Sequence, residues 1–231
     1  MAVEKIALEE LETLTKRIND TKGLPPDLKE KLERIVQRLE RMANLGHYAE
    51  EFDTEAGYIE TVTTVPWFEK TEDRLDLQET RKLLDSTHYG MDYVKDRVLE
   101  YLATLILLKQ RGRDAIASSP IILLVGLQGV GKTTLSMSMA KALGRQFIRI
   151  SMGGLGSTLE LRGKSKSFPN SEPGQVVKAL IKAGVRNPLI LLDEIDKASG
   201  EMGLRSDIMA VLLEILDPGQ NREFRDHYID Y

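Results

Sequence analysis

The run Gly126-Leu127-Gln128-Gly129-Val130-Gly131-Lys132-Thr133 fits the pattern G-x-x-x-x-G-K-[ST] without a mismatch. Glycines at this spacing let successive backbone N–H groups turn inward around a β-phosphate, and a helix beginning at the last glycine adds the positive end of its dipole. Lys132 is then placed to neutralise β- and γ-phosphates and the Thr133 hydroxyl to ligate Mg²⁺, while Thr134 completes the nucleotide-binding set. A second run, Pro188-Leu189-Ile190-Leu191-Leu192-Asp193-Glu194, is apolar until it ends in two carboxylates. At the carboxyl end of a strand, Asp193 lies where a metal-binding acid belongs in an open sheet. Magnesium keeps several of its waters, so Thr133 and Asp193 suffice as protein ligands. Glu194, one residue on, is suited to polarise an attacking water as general base. Together the two runs imply hydrolysis of ATP with Mg²⁺. Each alone has a plainer reading: a structural glycine turn, or two acids that merely end a buried strand.

Such residues work only if strands and helices hold them. Ile121 to Val125 is a continuous apolar run suited to a buried strand just ahead of the glycines, and a helix is predicted from about Gly131 to Leu143. Phe147 to Ser151 and Pro188 to Leu192 read as further strands, Gln175 to Ala183 and Ser206 to Leu216 as helices. Alternation of this kind implies an α/β fold, a parallel sheet with helices on its faces. Upstream the spacing is helical. Ala7, Leu11, Leu14 and Ile18 mark one helix, Lys22-Gly23 and Pro25-Pro26 a turn, and Leu28, Leu32, Ile35, Val36, Leu39 and Met42 a second apolar stripe. A weaker third pattern (Tyr48, Phe52, Ile59, Val62) is interrupted by Gly57. The expected organisation is a helical region over 1–62, a linker over 63–75 containing Pro66-Trp67, and a nucleotide-binding region over 76–231. Within the last, Asp76 and Glu79 predict a capping box opening a short helix to about Leu84, followed by a turn at His88-Tyr89-Gly90. A long helix follows from Met91 to Lys109, then a loop over 111–120.

Composition narrows the function classes. A formal net charge of -4 argues against a dedicated nucleic-acid binder, while a local basic loop leaves DNA contact open. With no cysteine there is neither a disulfide framework nor a thiolate zinc site, and His47, His88 and His227 are too scattered for a metal cluster. No apolar run approaches the roughly 18 residues of a membrane span, and the acidic start is unlike a signal peptide. The expected location is the cytoplasm, with no membrane partner.

The runs ISMGG at 150–154, ELRG at 160–163, PLILLDEIDK at 188–197 and LLEILDPGQNREFRDHYIDY at 212–231 resemble the AAA+ module of the Lon family of ATP-dependent proteases. PWFEKTEDRLDL at 66–77 and LDSTHYGMDYVKDRVLEYLA at 84–103 are similar to the stretch that precedes that module, and the helical start resembles the end of the family's substrate-recognition domain. The resemblance implies a base pocket at Tyr89 and Gly90, running on to Val94; an aromatic and apolar wall suits an adenine ring. It also implies that 163–174 is a pore loop gripping unfolded polypeptide, with Phe168 as the exposed aromatic beside Lys164 and Lys166, and that Ala198 to Asp207, with Met202, is a second pore-facing loop. The chain departs from the family pattern in having Phe168-Pro169-Asn170 for Tyr-Val-Gly and Leu127-Gln128 for Pro-Pro; the latter pair contributes backbone only.

The resemblance further implies unfolded or misfolded protein substrates and a closed ring, a hexamer, in which an arginine from a neighbouring subunit assists hydrolysis. The family's sensor asparagine, arginine finger, helical lid and Ser-Lys dyad have no counterpart in this sequence, so a fragment without the protease domain is expected, its sheet lacking the strand that normally lies between the first and third. Two other readings compete: a different AAA+ remodeller, such as a clamp loader or helicase motor, and a non-hydrolysing assembly module in which nucleotide only orders the fold.

Overall fold

The computed structural model of the chain describes residues 2–44, 50–112, 121–197 and 202–231, and these divide into two compact units. The division does not follow chain order. One unit comprises the chain up to Glu69 together with Arg162–Arg186 and Arg225–Tyr231; the other comprises Lys70–Leu161 and Asn187–Phe224.

The first unit is built on three helices, α1 (Ala2–Asp20), α2 (Pro26–Asn44) and α3 (Glu50–Thr64). The α2 helix starts on Pro26, whose missing N–H costs nothing at a first helical position, and carries Asp27 in its positive first turn. Its stripe Leu28, Leu32, Ile35, Val36, Leu39 and Ala43 is buried, as are Leu11, Leu14 and Ile18 of α1. Each of the leucine, isoleucine and valine side chains contributes about 1.5–3 kcal/mol on leaving water. Gly23 makes the α1–α2 turn at φ +72°, where a Cβ would lie 3.0 Å from that of Phe68. Gly57 does not interrupt α3, because Phe52, Tyr58, Ile59 and Val62 are buried around it. The same core takes in Tyr228 and Ile229, with Val177 and Ile181 of the helix α8 (Gln175–Ala183) packed against it. Apolar packing thus places 162–186 and 225–231, read from the sequence as part of the nucleotide-binding region, with the helices.

The second unit holds α4 (Leu77–Thr87), α5 (Asp92–Gln110), α6 (Lys132–Leu143), β1 (Phe147–Ser151), β2 (Leu189–Asp193) and α9 (Met202–Leu216); the short α7 (Thr158–Arg162) reaches its boundary. Asp76 caps α4 by accepting from the N–H groups of Gln78 and Glu79, and the helix runs one turn beyond the expected Leu84. β1 and β2 pair in parallel, from Phe147 opposite Leu189 to Ser151 opposite Asp193. Leu84, Val98, Leu135 and Met139 form the core beneath, joined by Leu124 and Leu189. The later half of the expected linker is fixed here: Arg145 donates to both oxygens of Asp73 at 2.7 Å, and Asn187 exchanges hydrogen bonds with the backbone of Thr71.

The first expected strand is overturned. Residues 121–127 are irregular, and Ile121, Leu123 and Val125 are exposed, Val125 at 86%. A strand needs a hydrogen-bonding neighbour, and among the described residues the sheet consists of β1 and β2 alone. Leu124 reaches the core without a ladder. Among the described residues no helix is long and apolar enough to cross a membrane. The positions Ala7, His47 and Tyr48, the loop 113–120 and most of the second candidate pore-facing stretch, Met202 included, lie outside the residues described in full; the backbone from Met202 onward belongs to α9.

Candidate functional site

Gly126 to Gly131 turn the chain from the irregular segment into α6. Gly129 and Gly131 have φ of +79° and +93°, the left-handed region open to glycine, and Gly131 is the N-cap of α6. The first-turn N–H groups of α6, which includes Lys132, Thr133 and Thr134, therefore face the loop. Lys132 Nζ donates to the carbonyls of Gly126 and Leu127, both at 2.7 Å, closing the loop on itself. The hydroxyl of Thr134 donates to Gly131 O at 2.9 Å. Leu127 is exposed and Val130 nearly half so, as backbone-contributing loop positions allow.

A residue expected only as part of a turn braces this segment. His88 is buried, with Nε2 3.2 Å from Thr134 Oγ1 and Nδ1 2.9 Å from Thr87 Oγ1, and Ser138 of α6 donates to Thr87 at 3.2 Å. The ring edge lies 3.8 Å from where a Cβ on Gly131 would sit. The end of α4 is thus pinned to the start of α6 by a chain of side-chain hydrogen bonds. Its neighbours in the expected base pocket are placed differently: the Tyr89 ring is fully exposed, and Gly90, at φ +64°, turns the chain toward α5.

At the end of β2, Asp193 accepts from Arg149 Nε on β1 at 2.7 Å and from the N–H of Glu194 at 3.0 Å. Arg149 is half exposed and Asp193 mostly covered. Glu194 sits in the left-handed region at φ +58°. That conformation costs a non-glycine residue about 1–2 kcal/mol, and such strain gathers at functional sites. It turns the carboxylate toward Gly153, where a Cβ would stand 3.1 Å from Oε2, so a larger residue at 153 would crowd it. Lys197 donates to Glu194 Oε1 at 2.5 Å, and that hydrogen bond is the main cause of its raised pKa.

The two motifs ride on packed elements of one unit, since α6 lies against both β1 and β2. Asp193 and Glu194 make their side-chain bonds to Arg149, Lys197 and local backbone, while Lys132 bonds to its own loop. The donor set fits a magnesium nucleotide: left-handed glycines at a helix start, an ammonium and hydroxyl on the first turn, and a carboxylate at a parallel strand's end. Among the described residues no group of three or more His, Asp or Glu side chains could hold a metal ion.

Phe168 lies in the other unit, 60% exposed at the tip of a closed loop. The lysines beside it are not free to press on a ligand: Lys164 Nζ donates to Pro169 O at 2.5 Å and Lys166 Nζ to Glu55 at 2.9 Å.

A family model described as ATPase family associated with various cellular activities (AAA) matches residues 122–227. A Lon protease of Nitrosococcus oceani is 42% identical over 96% of this chain and 27% of its own length. The Lon protease of Escherichia coli strain K12 is 42% identical over 97% of the chain and 27% of its length, and Lon protease 1 of Bacillus subtilis is 41% identical over 96% and 27%. The chain spans about a quarter of the length of the curated relatives it matches. A glycine turn into a helix, a strand ending in paired acids and likeness along nearly the whole chain agree: the chain is similar to a stretch of Lon proteases and matches the AAA ATPase family over residues 122–227.

Proposed function

We propose that this chain binds and hydrolyses ATP as the motor portion of a Lon-type ATP-dependent serine protease, which unfolds and translocates polypeptides for degradation. The observation that carries the reading is the glycine turn into α6, with Lys132 on its first helical residue and Asp193-Glu194 at the end of a strand packed on the same helix. In this reading the N–H groups of 126–133 and the ammonium of Lys132 hold the phosphates, Lys132 leaving the carbonyls of Gly126 and Leu127 to do so. Thr133 and Asp193 would hold Mg²⁺, which would supply positive charge beside the phosphates. Glu194 orients water and takes its proton, which requires release from Lys197. Tyr89, Gly90 and Thr134 complete the nucleotide contacts, and Phe168 grips the polypeptide.

Proteolysis belongs to the whole protein, for which we propose unfolded or misfolded protein substrates, a cytoplasmic location and a closed ring, a hexamer. In a ring each subunit can lend an arginine to its neighbour's site. The same proposal includes DNA as an additional ligand. Substituting Glu194→Gln in the full-length protein separates a motor from an assembly module. Calorimetric titration should still register magnesium-dependent ATP binding while turnover and degradation fall by about 10²-fold or more. Turnover unchanged by the substitution, or no uptake of ATP by the unsubstituted protein, would defeat the reading.

A further inference from the structure

The DHYIDY run at 226–231 lies outside the nucleotide chemistry. Its acid has a definite task in the fold. Asp226 is 2% exposed and accepts from three backbone N–H groups: Gly174 at 2.7 Å, Tyr228 at 2.8 Å and Ile229 at 2.9 Å. The other side of the carboxylate packs on Gly163, at φ +79°, where a Cβ would stand 2.8 Å from Oδ1. Gly163 and Gly174 are the two feet of the loop that carries Phe168. Between them Lys164 N donates to Glu172 O at 2.8 Å, Phe168 N donates to Ser165 O at 3.0 Å, and Asn170 is left-handed. The aromatic therefore projects from a closed, internally bonded loop.

A second anchor comes from the helices. Glu55 of α3 is buried, yet accepts from Lys166 Nζ at 2.9 and 3.2 Å and from Arg38 of α2. The Lys166 ammonium also stands 4.6 Å above the Tyr58 ring, and the Tyr58 hydroxyl donates to Ile229 O at 2.8 Å. Helix, loop and terminal turn are thus tied at neighbouring points. Removing the charge of Glu55 would take away the acceptor that Lys166 and Arg38 share, and with it the charged tie between the loop and α3.

We propose that Glu55 and Asp226 are positioning residues for the Phe168 loop: Asp226 clamps its feet, Glu55 holds its flank through Lys166, and the helical unit is the platform from which the aromatic meets an extended polypeptide. The inference rests on the proposed reading of Phe168 as the gripping residue, and its test keeps the two apart.

The test uses the full-length protein, with reduced, carboxymethylated α-lactalbumin as the unfolded substrate. Glu55→Gln should leave ATP turnover without substrate close to wild type. It should speed amide exchange over 164–172 at least about tenfold and raise the ATP consumed per substrate chain degraded by about tenfold, as the grip loses its geometry. Glu55→Asp, keeping the charge, should recover much of both. Asp226→Asn should act in the same direction; if it does not fold, the Glu55 pair still decides. Wild-type exchange over 164–172 together with a wild-type ATP cost in Glu55→Gln overturns the proposal. Degradation at wild-type efficiency by Phe168→Ala instead overturns the underlying reading of the loop, whatever the exchange measurement gives.

Discussion

Lys132, Asp193 and Glu194 each have a partner within the protein, so the nucleotide binding proposed for this site would be an exchange of partners. The Lys132 ammonium has two carbonyl acceptors, which are neutral and weaker than phosphate. Lys132→Ala in the full-length protein should therefore weaken ATP binding by about 10- to 100-fold, measured by calorimetry, the scale of a lost charge-assisted hydrogen bond. Undiminished affinity would mean that the ammonium never leaves its loop. The motif residues were legible in the sequence because their chemistry is local, a spacing of glycines or a pair of adjacent acids. The residues that tune them were not. His88 meets Thr134 across 46 positions and Arg149 meets Asp193 across 44, contacts that only the folded chain creates. Lys197 was within reach of inspection, three residues beyond Glu194, but its approach depends on the short 3-10 turn Ile195–Lys197.

Among the elements, the pair α4 and α5 carries a pH dependence. Asp85 is held below its ordinary value of 3.8, first by the hydrogen bond from Lys95 and then by Arg81. Lys95 is itself 3% exposed, so it has little recourse to water once that partner is protonated. A depressed carboxylate pKa contributes stability above the unfolded value and loses it as pH falls through the folded one. The midpoint of thermal unfolding should thus fall below about pH 4 in the wild type, and Asp85→Asn should flatten that part of the profile. Helices were the most legible elements, since the stripes of α1 and α2 and the Asp76 cap are periodic or local signals. The expected strand at 121–125 is absent, because an apolar run does not by itself supply the neighbour that would take up its backbone hydrogen bonds.

For the whole molecule, the unexpected feature is that the helical core is completed by distant chain. Val177, Ile181, Tyr228 and Ile229 all pack into it. A truncation beginning at Lys70 would strip that cover from α8 and the final turn. It should show no cooperative melt for these segments and should aggregate at micromolar concentration, checked by calorimetry and light scattering. A soluble, cooperatively melting product would show that the second unit can shelter them unaided. This arrangement was invisible in a linear reading, which assigns neighbours in sequence to the same module.

The same arrangement has a consequence for synthesis. Tyr58 and the Ile229 carbonyl it bonds are 171 positions apart. At about 5–20 residues per second a ribosome takes on the order of 10–30 s to deliver the second after the first. Throughout that interval the emerging helices have an unfinished apolar face. Maturation of this arm is therefore paced by translation, and a pause downstream prolongs the period in which chaperones or proteases can reach it.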